Sequence, residues 1–174
     1  VGQNVAMFEP LSNDLDFQLL QNGAVTLYYQ TAILDQDLVW LRDNGYQVET
    51  IDCRELPEFK RLMSVALKFK AQFGYDEWNG NLDALNDAFR ELEANSESGF
   101  AICFLRYDLL TASEPLFAEA ILDIIERNSR DHLLLGRRFL ALVQSDDPRI
   151  RFNPLGARQA QWNRREWLNK NRGL

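Results

Sequence analysis

An α/β fold, with a small, mostly parallel sheet of three or four strands packed with helices, is predicted by three features of the chain. Short runs of β-branched and aromatic residues alternate with stretches of helical periodicity, and turn signals mark the joints between them. At 174 residues and 46% apolar composition the chain can close a sizeable core, so one domain with terminal extensions is expected.

The first strand is expected over residues 25–30, which follow the Asn22-Gly23 turn signal. Leu34, Leu38 and Leu41 then recur at helical spacing until Asn44-Gly45, and a second strand follows over 46–53. Two strands joined by a helix favour a parallel βαβ unit with a right-handed crossover. Phe59, Leu62, Met63, Ala66 and Leu67 mark a second helix, with Pro57 tolerated near its start, and a polar, aromatic loop comes next. Leu82, Leu85, Phe89 and Leu92 define the apolar face of a third helix, expected to end at 96–99. The nearly continuous apolar run 100–105 predicts a central strand covered on both faces. Ser113 and Pro115 open a further helix whose Phe117, Ala120, Ile121, Ile124 and Ile125 share a side, and 139–144 supplies the last strand. Residues 145–174 are polar and basic and predict an appended arm or a short docked helix. The expected organisation is therefore a strand-helix extension over 1–45, a main domain over 46–144 and a basic arm over 145–174.

Several function classes find no support. Every hydrophobic run is broken by charge well short of the roughly 20 apolar residues that a membrane span needs. Residues 1–10 lack the basic start and apolar block of a secretion signal, so a soluble, cytoplasmic protein is expected. Cys53 and Cys103 lie in apolar, strand-like surroundings without the spacing of a zinc or redox pair, which predicts buried thiols. The single histidine, His132, cannot build a metal site alone and is expected at a helix end or in a loop. No nucleophile-elbow, zinc-protease or phosphate-loop pattern occurs, so no catalysis, metal or cofactor is expected.

The net charge of −7 conceals an asymmetry: residues 1–126 carry 22 acidic against 8 basic side chains, and residues 127–174 carry 4 against 11. An acidic body repels nucleic acid and attracts a basic protein, although acidity also serves solubility alone. In the arm, Arg158, Trp162, Arg164, Arg165, Trp167, Lys170 and Arg172 mix cations with aromatics as RNA-binding segments do. The alternative, preferred because opposite charges attract, is that the arm packs back on the acidic body with its tryptophans covering exposed surface.

The most informative stretch is 78–89. On a helix, Asp83, Asp87 and Glu91 fall in one row opposite Leu82, Leu85, Phe89 and Leu92. Like charges at that spacing repel by roughly 0.2 to 0.5 kcal/mol per pair, so helix stability alone does not select the row. A solvated acidic face, with Asp83 favoured by the helix dipole, competes with a face displayed to a partner.

Asn81-Leu82-Asp83-Ala84-Leu85, preceded by an aromatic and small residues and followed by Asp87, resembles the signature segment of the barstar family. The order of elements over about 46–144 is similar as well. The resemblance implies a compact α/β inhibitor that lays its acidic helix, and the loop before it, across the cationic active site of a microbial ribonuclease. It implies that Asp83 and Asp87 meet the enzyme's basic side chains and that Asn81 opens the helix. The resemblance also implies that Glu126 corresponds to a more distant family glutamate. The chain departs from the family pattern at three places: Asn86 stands where a tryptophan is found, Glu77 where a tyrosine contacts the enzyme, and Arg90 where there is a small threonine. A partner other than barnase, or weak inhibition of a barnase-like enzyme, is expected from these changes. Trp78 either replaces the missing aromatic contact or packs inside.

The partner-facing positions are thus expected to be Asp83, Asp87, Asn81, Trp78, Asn86 and Glu91. The expected function is a non-catalytic, immunity-type inhibitor of a secreted or toxin-like ribonuclease. The alternative is a diverged module of the same fold that binds another basic protein without inhibiting RNA cleavage.

Overall fold

The computed structural model describes residues 14–92 and 98–172. Expectations for residues 1–10, and for a helix end at 96–99, therefore fall partly or wholly outside the described residues. The elements are α1 (Leu15–Leu20), β1 (Val25–Tyr28), α2 (Thr31–Asp43), β2 (Tyr46–Asp52), α3 (Leu56–Ala66), α4 (Phe69–Phe73), α5 (Leu82–Arg90), β3 (Gly99–Leu105), α6 (Tyr107–Ser113), α7 (Pro115–Leu134), β4 (Phe139–Gln144) and β5 (Gln161–Trp162). Two short 3-10 turns, Arg164–Glu166 and Lys170–Arg172, close the described chain.

The sheet has five strands in the order β2-β3-β4-β1-β5, and every neighbouring pair is parallel. It exceeds the expected three or four strands because β5 comes from the basic arm. The middle strand is β4, while β3 lies between β2 and β4 with partners on both sides.

Side chains alternate across the strands, so each strand feeds two cores. Val25, Leu27, Ile51, Phe100, Ile102, Phe104, Phe139, Ala141 and Val143 join the larger cluster under α3 to α7. Tyr28, Tyr46, Ala101, Cys103, Leu140 and Leu142 join the smaller cluster, with α1 and α2. Burial pushes the Cys103 thiol up to about 12 and raises that of Cys53, so both stay protonated at neutral pH.

β1 and β2 run parallel and are joined through α2, as expected of a βαβ unit. They are not neighbours, because β3 and β4 lie between them. The connection through α2 crosses on one face, and the connections from β2 to β3 and from β3 to β4 return on the other. Reversing direction while keeping each crossover right-handed requires that change of face.

β1 is held beside β4 from both ends. The Glu126 carboxylate on α7 accepts hydrogen bonds from Ala24 N at 2.7 Å and Val25 N at 3.3 Å, and Ser145 N donates to Tyr28 O at 2.9 Å. Glu126 is only 3% exposed, so its role is to anchor the N-terminal strand, and it is not the partner-facing glutamate that the resemblance implied. Asp16 on α1 accepts hydrogen bonds from Tyr46 Oη at 2.6 Å and Arg138 Nη1 at 2.9 Å, which ties α1 to the strand starts.

The arm is part of the same body. β5 pairs with β1, and Asp37 on α2 accepts hydrogen bonds from Tyr28 Oη at 2.8 Å and Asn163 Nδ2 at 3.0 Å and is ion-paired with Arg165. Among the described residues no helix is long and apolar enough to cross a membrane.

Candidate partner-binding face

The helix α5 forms because Asn81 caps it: its Oδ1 accepts a hydrogen bond from Ala84 N at 3.0 Å, satisfying one of the free donors of the first turn. Leu85, Ala88 and Phe89 are fully buried, and the Phe89 ring stacks on Phe139 with centroids 5.2 Å apart. His132, buried near the end of α7, lies with Nε2 2.8 Å from Phe89 O and supports the far end of α5. With that face turned inward, positions 83 and 87 are turned away from the core by helical geometry.

Asp83 is exposed. Asp87 is 44% exposed at its side chain and ion-paired with Arg90 at 2.8 Å, an i,i+3 contact along the helix surface. Glu91 caps the helix C-terminus rather than belonging to it, and its Oε1 is 3.5 Å from Arg90 Nε. The acidic row therefore carries its own cation. An exposed pair of this kind contributes only about 0 to 1 kcal/mol, so Arg90 can be drawn off by a competing anion or displaced when a stronger cation approaches.

Two of the expected contact residues are turned inward. Trp78 is fully buried, stacked on Phe117 with centroids 5.7 Å apart, and its N and Nε1 donate to Ser64 Oγ and Asn81 O, both at 2.7 Å. It is a core residue, and the expectation of a partner contact at Trp78 is corrected. The large ring gains more from filling the space between α3, α4 and α7 than from solvent. Asn86 is half-buried, and its Oδ1 accepts a hydrogen bond from Asn128 Nδ2 at 2.9 Å, so its amide is engaged in the α5 and α7 contact. Asn81 is exposed, but its side chain is committed to the cap.

The segment before α5 is held by the same tryptophan. Asn79 Oδ1 accepts from Asn81 N at 2.9 Å, and Lys60 Nζ donates to Asn79 O at 3.2 Å. Gly80 adopts φ +100°, and a Cβ there would lie 3.1 Å from the Lys60 side chain, so glycine suits both the backbone and the space. On this segment Tyr75 is 41% exposed and stacked on Phe73 at 5.8 Å. It is an outward aromatic that the sequence reasoning missed. Gly74 just before it was a visible turn signal, but which of Tyr75 and Trp78 faces out depends on packing.

At the end of β2, Asp52 is ion-paired with Arg54 at 2.8 Å and with Arg106. Burial raises the Asp52 carboxyl, but hydrogen bonds from Arg106 and Arg54 outweigh it and hold the group below its ordinary value. Among the described residues no group of three or more histidine, cysteine, aspartate or glutamate side chains could hold a metal ion.

A five-stranded parallel sheet packed with helices, one of them a short helix seated by its apolar face with Asp83 exposed, defines an α/β protein. Residues 44–144, more than half of the chain, match the family model described as Barstar (barnase inhibitor), and the chain belongs to that family. The match runs from the start of β2 to the end of β4 and contains the whole of α5. No curated protein matches the chain.

Proposed function

We propose that this protein is a non-catalytic inhibitor of a ribonuclease, acting in the cytoplasm on a basic, secreted or toxin-like enzyme before its export. The observation that carries the reading is the seating of α5: a helix fixed by Leu85, Ala88 and Phe89 turns Asp83 and Asp87 away from the core, inside the segment that matches the family. A ribonuclease needs a cationic cleft to hold RNA, and carboxylates already in place can fill that cleft by charge-assisted hydrogen bonds without any chemistry. Tyr75, outward on the segment leading into α5, is the aromatic contact in this proposal, in the place first expected of Trp78.

The Asp87 and Arg90 pair, together with the commitment of Asn86 to α7, favours a target other than barnase itself. A second reading, binding of another basic protein by the same face without ribonuclease inhibition, rests on the same two features.

The test is a titration of RNA cleavage by a basic microbial ribonuclease from the source organism, with barnase in parallel. The expected result is stoichiometric inhibition of the native enzyme, weaker inhibition of barnase, and a loss of at least tenfold, about 1.4 kcal/mol, for Asp83→Ala. Binding without inhibition would favour the second reading, and full inhibition by the Asp83→Ala, Asp87→Ala double variant would overturn both.

A further inference from the structure

Away from α5, the segment 148–152, the stretch 159–162 and the last 3-10 turn line a half-open cavity of about 480 Å³. Its wall includes Arg149, Arg151, Arg172, Gln159, Gln161 and Trp162, and no described aspartate or glutamate lines it. Three guanidinium groups without a lining carboxylate stand out in a chain of net charge −7.

Arg172 is the informative member. It is 4% exposed, its guanidinium lies 3.9 Å from the centroid of the Trp162 ring, and Nη1 donates to Glu166 O at 3.1 Å. Its Nε meets no hydrogen-bond partner among the described residues. The nearby carboxylate is engaged elsewhere: Glu166 Oε1 accepts from Tyr29 N at 3.0 Å and Gln30 N at 2.8 Å, and Oε2 accepts from Asn169 Nδ2 at 2.9 Å. Burial lowers the pKa of Arg172 and Glu166 offsets part of that, yet a guanidinium remains charged in a protein. A buried cation with a free donor is costly unless something supplies the missing charge. Arg149 and Arg151 are exposed, and neither is ion-paired among the described residues.

We propose that this cavity binds a small phosphate-bearing anion, with Arg172 as the buried contact and Arg149 and Arg151 closing over it. Phosphate suits the site better than carboxylate, because several N–H donors and three positive charges match three oxygens and a double negative charge. The volume lies within the range of small-molecule sites, and Phe152 and Trp162 add apolar wall for a body attached to the phosphate. The site is separate from α5, and no ribonuclease enters its test.

The experiment is calorimetric titration of the full chain at fixed ionic strength with sodium phosphate, adenosine monophosphate, adenosine and sodium acetate. The phosphate-bearing titrants should bind, adenosine and acetate should not, and the Arg149→Gln, Arg151→Gln double variant should bind at least tenfold more weakly with an unchanged unfolding midpoint. Substitution of Arg172 also disturbs packing, so the exposed pair carries the test. Equal affinity for phosphate and the nucleotide identifies inorganic phosphate as the ligand; tighter nucleotide binding shows that the attached body is held too. Failure of both phosphate compounds to bind, acetate binding as tightly as phosphate, or an unaffected double variant overturns the proposal.

Discussion

Trp78 and Tyr75 lie three residues apart on one segment and both pack against Phe69, but Trp78 is fully buried and Tyr75 is 41% exposed. Trp78→Ala is expected to cost about 3 to 5 kcal/mol in urea unfolding, because it empties a fully buried site and removes the donor to Asn81 O. Asn81→Ala should cost about 1 kcal/mol in the same measurement, the usual value of a lost cap. Arg90→Thr should act in the reverse sense on binding, since it frees Asp87. Affinity for a basic ribonuclease is expected to rise by about 0.5 kcal/mol, roughly twofold, with stability almost unchanged. A fall in affinity would mean that Arg90 itself touches the partner. The exposure of Asp83 followed from helical spacing in the sequence, whereas the neutralising contact of Arg90 with Asp87 did not, because side-chain rotamers choose between solvent and a neighbour three residues away.

Between elements, the family segment is completed by strands from outside it. β1 enters beside β4 and β5 pairs with β1, so both strands are integral to the sheet. Glu126→Gln is expected to destabilise the fold by about 1.5 to 3 kcal/mol, because the carboxylate holds two backbone N–H groups at the start of β1. Chemical denaturation measures this, and a change below about 0.5 kcal/mol would show that β1 is held mainly by its pairing with β4. The contact of Asp37 with Asn163 and Arg165 serves the other end. Arg165→Ala should destabilise by about 1 to 3 kcal/mol, and Asp37→Asn in the same chain should recover part of the loss by removing the stranded charge.

Over the whole molecule, the acidic net charge and the ion-paired Asp52 set two dependences on solution conditions. Association with a basic ribonuclease should slow steeply as salt is added, because the Debye length shrinks from about 10 Å at 0.1 M to about 3 Å at 1 M. A stopped-flow on-rate independent of salt would contradict steering. Asp52 has its folded-state pKa depressed by Arg106 and Arg54. Its contribution to stability is therefore fully present above the ordinary carboxylate range and is lost as pH falls through the folded value. Unfolding midpoints measured on acidification should drop less steeply in Asp52→Asn than in the native chain.

The four longer strands, the helices α2, α3, α5 and α7 and the outward position of Asp83 were legible in the residue order, since period-2 and period-3.6 patterns are local. The short helices α1, α4 and α6 and the two-residue β5 were not, because five to seven residues make fewer than two helical turns and two residues show no alternation, so these elements owe their shape to neighbours. Only the assembled sheet decided that β1 pairs with β4 instead of β2, and that the arm contributes a strand. Strand order depends on contacts between residues more than a hundred positions apart, such as Glu126 with Ala24, which no local pattern encodes. The same holds for the face that a partner would meet: helical spacing turns Asp83 outward, but the cavity between α3, α4 and α7 is what takes Trp78 in and leaves Tyr75 at the surface.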